Sequence, residues 1–391
     1  MTAPRLRIQT LNNISAAGLA RLDATRFETG ASLTDPDAIL LRSADLHATP
    51  IPTSVKAIGR AGSGTNNIPV SDMTTRGVPV FNAPGANANA VKELVVAAMV
   101  IGARSLGAGW QFARTLEGDD ASLHKAVEAG KKAYAGIEIA GRTLGVIGLG
   151  AIGGRVASAG VALGMQVVGF DPGLSVEGAW QLDPRVQSAS SLDDVFAAAQ
   201  FLSVHAPLTP GTRGLVNADR LALMPKGGVL INFAREGVVD EAAVVNALDT
   251  GTLRAYVSDF PTAATVAHPR CVTLPHLGAS TAEAEDNCAV MVADQVRDFL
   301  LRGDVVNSVN FPMYRTPAVF SHRLVYAGGT TGTAAVVAEA LAKAGVVVTA
   351  AGHAMRNDLT YGSVDTAEAV SPAVVAAVLA VPGVVMARII G

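Results

Sequence analysis

Four polar residues each stand at the end of an apolar run in the second half of the chain: His205 after FLSV, Arg235 after VLINFA, Asp259 after AYVS and His276 after CVTLP. Open parallel sheets bind ligands outside the carboxyl ends of their strands, so several such side chains on one sheet describe a site where one would mean little. Their chemistry is complementary. An imidazole titrates near neutrality and can take a hydroxyl proton and return it. A guanidinium offers a planar fork that matches a carboxylate. His276 and Arg235 therefore suit a 2-hydroxy acid, the first moving the hydroxyl proton and the second holding the carboxylate and polarising the carbonyl in reverse. Taken singly, His276 also reads as a core histidine satisfied by backbone, and Arg235 as half of a surface ion pair.

The hydride acceptor has its own signature. TLGVIGLGAIGGRVA contains Gly148, Gly150 and Gly153 as G-x-G-x-x-G. In a glycine-rich chain the triplet is weak alone; its setting gives it weight. It follows an apolar strand candidate, opens the helix candidate RVASAGVALG, and is followed by Asp171 at the end of QVVGFD. Gly148 permits the tight turn, Gly150 lets backbone approach a pyrophosphate at the helix N-terminus, and Gly153 lets helix and strand pack closely. A carboxylate at Asp171 accepts from both ribose hydroxyls and repels a 2′-phosphate. Pro172 and Gly173 come next, with no arginine, so NAD is expected rather than NADP.

These residues need a sheet to carry them. TLGVIG, MQVVGFD, FLSVHAP, GGVLINFAR, RAYVSDF and RCVTLPH read as strands, several separated by helical stretches such as DEAAVVNALDTG, which is a doubly wound pattern. Upstream, RLRIQTL, AILLRS, VKAIGR and VPVFNAPG read as a second parallel set, and KELVVAAMVIGARSLGAGWQFAR as one long helix. Residues 282–302 look helical. After a linker, MYRTPAVFS, the last block reads βαββαβ, the order of a small ferredoxin-like domain.

Composition limits the classes. The 391 residues exceed one ordinary core, and half of them are apolar, so large cores are affordable. A net charge of −3 argues against a nucleic-acid surface. Cys271 and Cys288, with no Cys/His cluster at ligand spacing, give neither a disulfide framework nor a metal site. MTAPRLRIQT lacks a signal-peptide core, and the apolar tail is broken by Pro382, Gly383 and Arg388, so a soluble, cytoplasmic protein is the expectation.

GRAGSGTNNI, FNAPGANANAVKE, LGVIGLGAIGGRVA, INFAREGVVDE and TLPHLGAST together resemble the D-isomer-specific 2-hydroxyacid dehydrogenases, in their phosphoglycerate-oxidising branch with a C-terminal ACT domain. The resemblance implies a Rossmann-type NAD domain (95–284) inserted in a flavodoxin-like α/β substrate domain (1–94 and 285–312), a linker (313–319) and an ACT-like domain (320–391). It implies oxidation of 3-phospho-D-glycerate, the first step towards serine, by a homodimer or homotetramer. Carried over by motif, His276 is the acid/base and Arg235 orients substrate. Asp259 contacts the nicotinamide carboxamide. Ala151 and Ile152 offer backbone to the pyrophosphate. His205, Ala206, Phe233 and Ala234 line the cofactor cleft, with Gly278 and Ala279 beside it. Arg60, Ser63 and Asn87 face the substrate, Arg60 towards its phosphate, with Arg42 and Ser43 as further anion contacts.

Two departures stand out. The family pairs its histidine with a glutamate, and the matching position here is Ala263 or Ala264. General acid–base catalysis is worth about 10²–10⁴-fold, and losing the partner removes only part of that, so an active enzyme is still expected, with a water or Asp259 behind the imidazole. In the ACT block the positions that hold serine in regulated relatives are Ala327, Gly329 and Val347, and the usual Pro–Gly turn is Thr331–Gly332. None of these side chains can bind an ammonium or carboxylate, so serine inhibition is expected to be weak or absent. The alternatives are a glyoxylate or hydroxypyruvate reductase and a non-catalytic NAD-sensing protein.

Overall fold

Strands that are buried at every position have no solvent face to alternate towards, and in this chain such strands form the centres of two parallel sheets. The computed structural model describes residues 4–316, 319–329 and 332–390. Pro317, Ala318 and Thr331, which belong to the expected linker and turn, lie outside them, as do Thr330 and Gly391. The first sheet holds β1 (Leu6–Leu11), β2 (Phe27–Gly30), β3 (Ala38–Leu41), β4 (Ala57–Arg60) and β5 (Val80–Phe81) in the order β2-β1-β3-β4-β5, the flavodoxin-like winding. The second holds β6 (Thr143–Ile147), β7 (Gln166–Phe170), β8 (Gln187–Ser188), β9 (Phe201–Val204), β10 (Gly228–Asn232), β11 (Leu253–Ser258) and β12 (Cys271–Thr273). Its order, β12-β11-β10-β9-β6-β7-β8, reverses direction at β6, as a Rossmann sheet does.

The third sheet is antiparallel: β13 (His322–Gly328), β14 (Val348–Arg356), β15 (Leu359–Thr366) and β16 (Val384–Ile390), in the order β14-β15-β13-β16. With helices Thr333–Lys343 and Pro372–Leu379 it completes the βαββαβ arrangement. The chain divides into two units, residues 88–281 and residues 1–87 with 282–391.

Within the discontinuous unit, period-2 alternation gives the central strands β13 and β15 two buried faces. Leu324, Tyr326 and Val364 pack on the sheet's own helices. Val325, Ala327, Tyr361 and Ile390 instead join Phe81, Val292, Val296, Phe299 and Phe311 in a shared core. The same sheet caps the helix Ala282–Arg302. Arg388 donates to the carbonyls of Phe299 (2.5 Å) and Leu300 (3.2 Å), Arg323 to that of Arg302 (3.0 Å), and the Tyr361 hydroxyl to that of Gly303 (2.7 Å). A helix leaves its last carbonyls without internal partners, and cations are favoured at that end. Fully buried Arg323 also makes a two-pronged pair with Asp365, at 2.6 and 2.9 Å. The connecting segment is tied down as well, through a Tyr314–Val305 bridge and Thr316 donating to Asp304.

One expected element differs. The single helix expected through residue 114 is two helices, Ala88–Arg104 and Leu106–Arg114, because Ser105 adopts a left-handed conformation (φ 51°). Gly107 and Gly109 follow it and weaken helix propensity there. Strands β2 and β8 carry no apolar run and give no sequence signal.

Candidate active site

In the unit 88–281 the glycine motif forms the turn between β6 and helix Gly153–Ala162. Gly148 has φ 85°, and a Cβ there would lie 2.9 Å from the His205 carbonyl. A Cβ on Gly153 would lie 1.8 Å from the Gly148 carbonyl, so helix and turn touch backbone to backbone. Gly150 faces open space. That space belongs to a cavity of about 810 Å³ lined by Gly150, Ala151, Asp171, Lys92, Arg155 and Leu174, among others. The Asp171 carboxylate accepts from the N–H of Leu149 (2.8 Å) and Gly173 (2.9 Å), which fixes it at the tip of β7, in the cavity wall. An open glycine, a helix N-terminus and a carboxylate after the second strand fit a dinucleotide with free ribose hydroxyls. Ala151 lines the cavity and Ile152 caps the helix. Lys92 and Arg155 carry no sequence signal, since neither belongs to a spaced motif.

The four polar strand ends belong to consecutive neighbours, β9, β10, β11 and β12. Strands in a sheet lie about 4.8 Å apart, so their following loops share one rim. His205 is bonded through Nε2 to Ser203 Oγ at 2.9 Å, while its buried Nδ1 has no partner. Burial pushes its imidazole down to about 4, so it is neutral at pH 7. Ala206, Phe233 and Ala234 are buried beside these strand ends.

Arg235 is half-buried, and one guanidinium nitrogen donates to the Ala234 carbonyl at 2.7 Å. Among the described residues it has no carboxylate partner, which rules out the surface ion pair as its role. Asn232, buried at the end of β10, braces this turn: Nδ2 donates to the Arg235 carbonyl (3.1 Å) and Oδ1 accepts from Ala234 N–H (3.1 Å). It also accepts Asp259 N–H through its backbone carbonyl (3.2 Å). Sequence reasoning misses Asn232; its signal is an amide closing the otherwise apolar run GVLIN.

Asp259 is 2% exposed, and its oxygens accept from Leu277 N–H (2.9 Å) and Gly278 N–H (2.7 Å). Asp259 therefore braces the loop after His276 and makes no hydrogen bond to the imidazole. A Cβ on Gly278 would lie 3.0 Å from Asp259 Oδ2, so a larger residue there would press on the carboxylate. Ala279 follows, half-buried. His276 has φ 56°, rare outside glycine, with its N–H on the Leu274 carbonyl at 3.0 Å. Its exposed ring meets Phe260 edge-on at 5.3 Å and has no hydrogen-bonded carboxylate among the described residues. Ala263 and Ala264, the positions matching the family's glutamate, open the helix Ala263–Ala267 with exposed methyls. A strained, tethered and exposed imidazole is not a backbone-satisfied core histidine.

In the other unit, Arg60 ends β4 and its Nε donates to the Arg42 carbonyl at 3.0 Å. Its guanidinium folds over Gly62, where a Cβ would lie 2.0 Å from Nη1. The Ser63 carbonyl accepts from Asn82 at 2.6 Å. Asn87 is buried, with its Oδ1 unpartnered. Arg60, Ser63 and Asn87 thus belong to the unit of residues 1–87 and 282–391, and the four strand-end residues to the other.

Residues 106–278 match the family profile described as D-isomer specific 2-hydroxyacid dehydrogenase, NAD binding domain. Over that stretch the chain is similar to the D-isomer-specific 2-hydroxyacid dehydrogenases. It is 39% identical over 289 residues to the D-3-phosphoglycerate dehydrogenase of Mycobacterium tuberculosis, a stretch covering 72% of this chain and 52% of that protein. It is 35% identical over 298 residues to the enzyme of the same name from Methanocaldococcus jannaschii, covering 74% and 54%. The chain thus spans about half the length of the curated relatives it matches. Among solved structures, the NAD+-bound 3-phosphoglycerate dehydrogenase of Entamoeba histolytica superposes with a TM-score of 0.61 at 24% identity, covering 78% of this chain and 99% of that one, which shows the shared fold.

Proposed function

We propose that this chain oxidises 3-phospho-D-glycerate to 3-phosphohydroxypyruvate with NAD, with His276 as acid/base and Arg235 orienting the carboxylate. The observation that carries the reading is the pairing of an uncompensated guanidinium and an exposed imidazole on neighbouring strand-end loops of an NAD-binding sheet. NAD, when bound, supplies the acceptor for the C2 hydride. Arg235 pins the carboxylate, which fixes the face of C2 presented to that acceptor. His276 accepts the hydroxyl proton as the carbonyl forms and returns it in the reverse direction. Asp259 works through the Leu277–Gly278 backbone as a positioning residue, and the second lone pair of either oxygen serves a carboxamide donor. Arg60, with Ser63 and Asn87, takes the phosphate end.

The chain acts as a homo-oligomer in this reading. Helices Leu106–Arg114 and Asp120–Gly130 bury no residue of their own, and Trp110 is 63% exposed, so this arm needs a partner surface, which light scattering tests. Among the described residues no helix is long and apolar enough to cross a membrane, and we place the enzyme in the cytoplasm. Serine inhibits it weakly or not at all in this reading, since Ala327 is buried in the shared core and Val347 is an exposed aliphatic; sub-millimolar inhibition would contradict this.

The deciding experiment compares NAD reduction by 3-phosphoglycerate in wild type and His276→Ala. The expected outcome is a drop in kcat of about 10²–10⁴-fold with NAD affinity retained. Failure of the wild type to reduce NAD with any of a panel of 2-hydroxy acids would sink the reading.

A further inference from the structure

The end of the first sheet that carries Arg60 also carries a negative charge directed at its neighbour. β3 and β4 pair with Leu41 beside Arg60, so Arg42 follows immediately at the rim. The backbone after it is fixed, because Asn12 Oδ1 accepts from Ser43 N–H (3.1 Å) and Ala44 N–H (2.6 Å). The Arg42 carbonyl is held by Arg60 Nε. What remains adjustable is the Arg42 guanidinium, and it lies 2.7 Å from Glu285 Oε1, in the first turn of helix Ala282–Arg302. Cys288, one turn further on, feels both arginines: burial pushes its thiol up and the charges of Arg60 and Arg42 pull it back. The Arg42 guanidinium therefore reaches the first turn of this helix, while Arg60 is anchored beside it on the Arg42 carbonyl.

The Arg42–Glu285 pair is partly solvated, with side-chain exposures of 37% and 44%. Such pairs are weak, and a doubly charged phosphate attracts a guanidinium more strongly than a single carboxylate does. We propose that Glu285 is a displaceable counter-ion of the phosphate subsite, holding Arg42 until a phosphate dianion takes the guanidinium from it. Resting on the reading above that Arg60 takes the phosphate end, this makes Glu285 a specificity residue. It lowers affinity for phosphorylated ligands and leaves the reacting carbon untouched. A carboxylate there keeps the subsite from gripping a phosphorylated product too long.

The test uses the full chain with Glu285→Gln, Arg42→Ala and the double variant. Steady-state kinetics are measured with 3-phosphoglycerate and with D-glycerate, and inorganic phosphate binding is measured by calorimetry. Glu285→Gln is expected to lower KM for 3-phosphoglycerate and Kd for phosphate by about 2–5-fold, with kcat and the D-glycerate KM unmoved. Arg42→Ala is expected to raise both phosphate-dependent constants and to erase the effect of Glu285→Gln. Equal shifts with both substrates, no shift in phosphate binding, or an effect that survives Arg42→Ala would overturn the inference. If 3-phosphoglycerate is not turned over at all, the functional reading fails and phosphate calorimetry still decides the counter-ion. If it is turned over but phosphate binding ignores Glu285, only the counter-ion fails.

Discussion

The histidines at the rim divide the work by environment. His276 is exposed on a left-handed turn, with Asp259 fixing its loop through the backbone and, among the described residues, no carboxylate hydrogen-bonded to the ring. His205 is the opposite case, held by Ser203 and desolvated. Its folded-state pKa of about 4 lies below the ordinary value near 6.5, so the unfolded chain binds the extra proton first. Stability associated with neutral His205 is therefore complete above about pH 6.5 and is lost as pH falls towards 4. We expect His205→Gln to flatten the acid limb of a urea-denaturation series by about 1–3 kcal/mol between pH 7 and pH 4. An unchanged slope would mean that other groups set that limb. The rim residues were legible from sequence because each ends an apolar run. The brace supplied by Asn232 was not, since a single amide at a strand end has many ordinary uses.

At the scale of elements, the glycine turn makes a contrast that separates fold from ligand binding. Gly153 touches backbone, whereas Gly150 faces the cavity. Gly153→Ala is expected to destabilise the nucleotide unit by about 1–3 kcal/mol or more, because the Gly148 carbonyl cannot give way as a flexible side chain would. Gly150→Ala is expected to leave thermal unfolding within about 0.5 kcal/mol and still weaken NAD binding. Loss of stability in the second variant, or none in the first, would refute this division. Sequence patterning shows the long apolar strands and the βαββαβ order because periodicity reports burial. It misses β2, β8 and the break at Ser105, where backbone pairing and a left-handed residue decide the outcome and no hydrophobic period exists to read.

For the molecule as a whole, the third sheet is fused to the first sheet's unit through a common core and through the helix end it caps. Element order predicts an ACT-like domain but says nothing of this docking, because Val325, Ala327 and Tyr361 look like ordinary strand residues until their second face is seen to be covered. Arg323→Met would strand the Asp365 carboxylate in that core and is expected to cost about 3–5 kcal/mol in chemical denaturation. Adding Asp365→Leu should recover most of that loss. Equal stability of the single variant and wild type would show that the pair is not enforced by burial.

The helix Ala282–Arg302 receives its terminal guanidinium cap from Arg388, and its long side packs against strands formed before residue 87. During synthesis the early strands therefore emerge roughly two hundred residues ahead of the helix that covers them, while residues 88–281 can complete their own sheet in between. The first sheet must wait, with apolar strands uncovered, until residues 282–302 have been made. That interval is where this chain is most exposed to aggregation and most dependent on chaperones.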